Sequence, residues 1–146
     1  MKYMIRFFYL LLLSSCAVIR PGGQGIEGQV IWIEGNRMPG TNQVQAAGIP
    51  VRRTLYIYSL TNRKEAQSLQ GIFFQHLKSR LIRKVKSGHD GHFKANLPEG
   101  TYSLFTGEKK GLYANRFDGG GNINPFTVKK GEYSRLEVKI NYEAFY

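Results

Sequence analysis

The stretch from Lys86 to Phe105 constrains the fold of this chain more than any other. Asp90-Gly91 lies between two runs of strand formers. Glycine tolerates positive φ at no steric cost, so the dipeptide predicts a tight hairpin turn flanked by His89 and His92. Beyond it Phe93, Ala95 and Leu97 alternate with His92, Lys94 and Asn96, a period of two that puts the apolar set on one face of a strand. Pro98-Glu99-Gly100 interrupts the ladder, because proline has no N–H to donate and glycine permits a reversal. Tyr102 and Leu104 then open a new alternation. Two turns and parts of three strands in so short a stretch predict an antiparallel sheet, with Leu81 to Ser87 as the first arm of the hairpin.

The same period recurs along the chain. Leu136, Val138, Ile140 and Tyr142 alternate with Arg135, Glu137, Lys139 and Asn141 in the cleanest strand pattern present. Further strands are predicted over Glu27 to Ile33, Val51 to Leu60, Thr101 to Thr106 and Phe126 to Lys129. Together these give an all-β antiparallel sandwich of about seven strands. One segment departs from the pattern: Leu69, Phe73 and Leu77 fall four apart with Ile72 beside them, which predicts a short helix or an irregular excursion in an insertion near residues 65–78.

Asp-Gly-His-Phe at 90–93, followed by Leu-Pro-Glu-Gly-Thr-Tyr-Ser-Leu at 97–104, resembles the turn signature of carboxypeptidase regulatory-like domains. These are transthyretin-like, immunoglobulin-like β-sandwiches. Gly28-Gln29-Val30 through Gly48-Ile49-Pro50-Val51 resembles the opening strand pair of that family, and the likeness extends from Ile26 to Tyr142. The resemblance implies a fold and carries no catalytic residue. The zinc ligands of the carboxypeptidases belong to a separate domain, and neither His-x-x-Glu nor His-Glu-x-x-His occurs here.

Residues 1–15 have the form of an export signal, with Lys2 and Arg6 ahead of the apolar run Phe7 to Leu13, which is too short to cross a bilayer. Leu13-Ser14-Ser15-Cys16 resembles the bacterial lipobox, which implies cleavage before Cys16 and acylation of its thiol and amino group. Residues 16–25 then form a lipid-anchored flexible tether and residues 26–146 the domain. Ala17 rather than aspartate after the cysteine favours, by that resemblance, the outer membrane of a bacterial envelope. Cys16 is the only cysteine, so no disulfide is expected.

The formal charge is +11; without Lys2 and Arg6, 19 basic against 10 acidic residues leave +9. Arg63, Lys64, Lys78, Arg80, Arg83, Lys84 and Lys86 face only Glu65 within residues 63–86, a local balance of +6. Such a surface serves solubility, or attracts an anionic glycan or lipid.

The candidate binding loop runs from Gly111 to Pro125, where Tyr113 and Phe117 mix with Asn115, Arg116, Asp118, Asn122 and Asn124. Exposed aromatics beside amides suit sugar rings or a protein hot spot; alternatively, Tyr113 and Phe117 fold inward and cap the core. His89 and His92, as cross-strand neighbours, are weak metal candidates without a third ligand nearby, and no metal site is assigned. Asp118, Asn122 and Asn124 offer calcium-type oxygens but match no EF-hand. Ser87, His89 and Asp90 supply the residue types of a hydrolase triad, too close along one strand to converge. Arg52, Tyr56 and Tyr58 are too little to suggest nucleic acid in an exported domain. The sequence therefore predicts a lipid-anchored, non-enzymatic binding or scaffolding module without a cofactor. Its expected partners are the membrane, through its anchor, and an envelope protein or an anionic glycan or lipid; the alternatives are a glycan- or lipid-binding module using the 111–125 loop and an enzyme of unrecognised type.

Overall fold

The computed structural model describes residues 23–38 and 47–146. Cys16 and most of the tether lie outside the described residues. In chain order the strands are β1 (Gly25–Asn36), β2 (Ile49–Pro50), β3 (Thr54–Ser59), β4 (Gln67–Leu69), β5 (Phe73–Gln75), β6 (Leu81–Lys86), β7 (His92–Asn96), β8 (Gly100–Glu108), β9 (Gly111–Tyr113), β10 (Pro125–Val128) and β11 (Tyr133–Phe145). A 3₁₀ turn, Arg63–Glu65, is capped by Asn62. The strands form an all-β sandwich. One sheet holds β11, β1, β2 and β7, and the other runs β4-β5-β9-β8-β3-β6 with β10 also on β8.

The predicted alternations hold. In β7 Phe93 and Ala95 are buried between exposed His92, Lys94 and Asn96, and in β11 Val138 and Ile140 are buried between exposed Glu137 and Lys139. These residues join Ile26, Val30, Leu55, Ile57 and Leu104 in the core between the sheets. On the outer face of the second sheet Phe105 and Phe74 meet Ile123 and Ala114 in a second apolar cluster.

Three expectations are corrected. β1 and β11 pair in parallel, from Gly25 opposite Tyr133 to Asn36 opposite Phe145, so the first sheet is mixed rather than antiparallel. Alternation fixes which face a residue takes and carries no information on strand direction. Second, Asp90-Gly91 is not the turn of a two-stranded hairpin, because β6 pairs with β3 while β7 pairs with β1 in the opposite sheet. The turn, closed by Gly91 N–H to Gly88 O (3.1 Å), carries the chain across the sandwich. The Pro98 turn carries it back, and Tyr102 Oη donates to Pro98 O at 2.8 Å to fix that corner.

Third, the segment expected to hold a helix is a hairpin of β4 and β5. Gln70 (φ 56°) and Gly71 (φ 78°) are both left-handed, a turn conformation that ends any helix. The apolar residues spaced by four divide between the two clusters, with Leu69, Ile72 and Phe73 in the first and Phe74 and Leu77 in the second. Just ahead of β1, Gln24 Nε2 donates to Leu97 O at 3.2 Å, and its Oε1 accepts from Gly131 N at 3.1 Å.

A cleft beside β8 as the candidate functional site

On one side β8 has two successive neighbours. β10 pairs with Gly100 to Ser103 and β9 with Thr106 to Glu108. Between them the chain from Ala114 to Ile123 leaves the sheet. Asn124 spans the gap: its Nδ2 donates to Leu104 O at 2.7 Å and its carbonyl accepts from Leu104 N at 3.2 Å. It does so at φ 40°, in the left-handed region that asparagine tolerates better than other residues with a side chain.

Beneath this gap lies a cleft of about 430 Å³ between the sheets, running along the edge of β11 away from β1. Buried Leu104, Thr106, Tyr113, Ala114, Phe126 and Val138 form its base. Asn115, Arg116, Arg135, Glu137 and Lys139 stand around its rim.

Asn141 organises one wall. Its Oδ1 accepts from Tyr113 Oη and from Asn115 Nδ2, both at 2.7 Å, while its Nδ2 donates to Tyr146 Oη at 2.9 Å. Burial pushes the Tyr113 phenol up from its usual range, so it stays a donor here. Both acceptor sites of Asn141 Oδ1 are thus filled. The groups left over are different ones. Asn115 and Asn124 are each held through the side-chain nitrogen, and their Oδ1 atoms accept no hydrogen bond among the described residues; neither oxygen is buried, so both are open to water or to a ligand.

Thr106 is 1% exposed and, among the described residues, its Oγ1 has no hydrogen-bond partner. Leaving a buried hydroxyl unpaired costs about 1–3 kcal/mol, and such a group in a folded protein calls for a reason. Thr106→Val keeps the shape and removes the hydroxyl. It is expected to raise the melting temperature of the free protein by several degrees, about 1 kcal/mol; a lower melting temperature would show that the hydroxyl is partnered.

The rim cations differ in their partners. Arg135 pairs with Glu27 at 3.4 Å and Lys139 with Glu137 at 3.0 Å. The Arg116 guanidinium has no ion pair among the described residues.

The 111–125 loop therefore divides. Tyr113, Asn115, Arg116 and Asn124 line the cleft. Phe117, Asp118 and Asn122 belong to a turn outside it. Asp118 accepts from Gly120 N (2.9 Å), Asn122 N (2.8 Å) and Asn122 Nδ2 (2.8 Å). These bonds, above all that from the Asn122 amide, hold its carboxyl below the usual range and occupy both oxygens, so it organises the loop. Phe117 lies under the Arg63 guanidinium, 4.7 Å from its ring centre, and edge-on to Phe74 at 6.2 Å.

His89 and His92 are both exposed at the corner between the sheets, not paired across a hairpin. Among the described residues no group of three or more side chains is placed to hold a metal ion. The basic segment ends in β6, an edge strand with Arg83, Lys84 and Lys86 exposed, a placement that discourages edge-to-edge pairing.

A second polar cluster is structural. Glu108 accepts from Arg53 Nε at 3.0 Å and from Tyr142 Oη at 2.9 Å, which ties the two sheets together. Burial, with this carboxylate alongside, pushes the Tyr142 phenol up to about 12.

Sequence reasoning missed Thr106. Its signal was a polar residue at the inward position that follows Tyr102 and Leu104. Asn141 gave none, since it falls in register with the solvent-facing residues of β11. Comparison of the chain with family models, with curated proteins and with solved structures finds no match.

Proposed function

We propose that this domain is a non-enzymatic binding module of a bacterial envelope, anchored through acylated Cys16, which holds a small polar ligand in the cleft beside β8. The observation that carries the reading is the orphaned Thr106 hydroxyl at the base of a 430 Å³ space. A ligand of drug or sugar size needs about 300–1,000 Å³, mostly apolar walls and a few convergent polar groups. Leu104, Phe126 and Val138 in the base supply apolar surface, and Thr106, Asn115 and Asn124 the polar groups. The carboxylate at the rim, Glu137, is already paired with Lys139, which suits holding better than proton transfer. The likeness to carboxypeptidase regulatory-like, transthyretin-like sandwiches belongs to the same proposal. The Tyr102 to Pro98 bond supports it by giving the Leu-Pro-Glu-Gly-Thr-Tyr run a structural role.

Ligand-observed NMR on the full-length protein in detergent micelles tests the site. The probes are glucose, N-acetylglucosamine, glucuronate and glycerol 3-phosphate. At least one is expected to receive saturation from the wild type and to lose it with Thr106→Val; if none binds, or if the variant is indifferent, the cleft is not the site.

The anchor has its own test. Membrane affinity grows by about 0.8 kcal/mol per buried methylene, so two or more chains hold a protein stably. Cys16→Ala is expected to move the protein from the membrane fraction to the soluble fraction. Sedimentation of that variant with membranes in high salt would remove the lipoprotein reading.

A further inference from the structure

We infer that the ligand of the cleft is an acidic sugar, a hydroxylated ring carrying one carboxylate or phosphate, whose charge is bound by Arg116. The inference rests on the cleft being a binding site and follows from which of its groups are left without partners. Asn115 Oδ1 and Asn124 Oδ1 are acceptors, so they call for donors on the ligand. The Thr106 hydroxyl takes either role. Neighbouring hydroxyls on one ring meet all three. The apolar base formed by Leu104, Phe126 and Val138 suits the C–H face of the same ring.

Charge then separates acidic from neutral sugars. Three cations stand at the rim against one carboxylate. Arg135 and Lys139 already have carboxylate partners, whereas Arg116 has none among the described residues. Its backbone is fixed by the bond from Asn124 N to its carbonyl at 2.7 Å, so the guanidinium is carried by the residue next to Asn115 and bonded to Asn124. A planar guanidinium matches carboxylate and phosphate in paired hydrogen bonds, which are about twice as strong as neutral ones.

Dissociation constants for glucose, glucuronate and glucose 6-phosphate are measured by NMR titration of the full-length protein in neutral detergent. Wild type is expected to bind glucuronate or glucose 6-phosphate about tenfold or more tightly than glucose, and the stronger of the two says whether carboxylate or phosphate is the anion held. Arg116→Gln is expected to abolish that preference, Arg116→Lys to restore part of it, and added salt to weaken the acidic ligands alone. Arg83→Gln, on the edge strand β6 away from the cleft, is the control for net charge. Equal affinity of wild type for all three sugars would overturn the acidic assignment and leave the cleft reading in place. A preference that survives Arg116→Gln, or falls equally with Arg83→Gln, would also overturn it. Binding of no sugar at all would overturn both.

Discussion

Gly91→Val is expected to destabilise the domain by about 3 kcal/mol or more, lowering the melting temperature by roughly 10 °C. Two independent costs combine. Gly91 has φ +74°, where a β-branched residue is strained. A Cβ built there lies 2.4 Å from the Val30 carbonyl oxygen, backbone of the central strand of the first sheet. That oxygen cannot retreat easily, because Val30 also donates its N–H to Gly91 O at 2.9 Å and accepts from Val51 N at 3.1 Å. Relief of the clash would therefore disturb the contact of β1 with the turn and with the chain leading out of β2. Lys94→Ala is the comparison, three residues away. Lys94 is exposed, pairs with Glu27 at 3.2 Å and sits 3.8 Å over the Tyr133 ring; such solvent-screened surface contacts contribute little to stability. Thermal melts of the two variants beside the wild type decide it, and similar losses would show that the turn is not the constraint inferred.

What the sequence revealed, and what it withheld, follows from the range of each interaction. Period-two patterns are local, and they located the strands around Phe93, Val138 and Ile57 and their inward faces. Gly91 was legible as a left-handed position for the same reason. Which sheet a strand joins depends on partners far along the chain. Lys86 to Phe105 reads as a meander, yet its three strands alternate between sheets, and only the pairings of β7 with β1 and β8 with β3 reveal it. The apolar spacing at 69, 73 and 77 satisfies a helix, but these residues serve two clusters on opposite sides of the second sheet. The cleft was half legible. Asparagines and aromatics drew attention to the 111–125 loop, but the division between Asn124, which patches the gap in the sheet, and Asp118, which only binds its own loop, is a tertiary fact.

The same division gives the second large effect, a contrast between the two aromatic residues of the loop. Tyr113 is 3% exposed. Its ring lies 5.6 Å from that of Phe73 and 5.3 Å from that of Tyr142, and its hydroxyl both donates to Asn141 Oδ1 and accepts from Asn141 N at 3.3 Å. Truncation to alanine removes a core ring that bridges the sheets and leaves Asn141 with one acceptor site unfilled. A loss of about 3–5 kcal/mol is expected, on the order of 10 °C or more in melting temperature. Tyr113→Phe keeps the ring and isolates the hydroxyl, with an expected cost of about 1 kcal/mol. Phe117 is 37% exposed, with one edge-to-face contact and one cation above it. Phe117→Ala is expected to cost about 1 kcal/mol and, because the ring lies outside the cleft, to leave sugar binding as in the wild type. Melting curves and the ligand titration on the same samples separate the outcomes. If Phe117→Ala removed binding while stability held, the outer turn around Asp118, rather than the cleft, would be the functional surface, because a turn that only covers the second apolar cluster has no reason to report on a ligand held between the sheets.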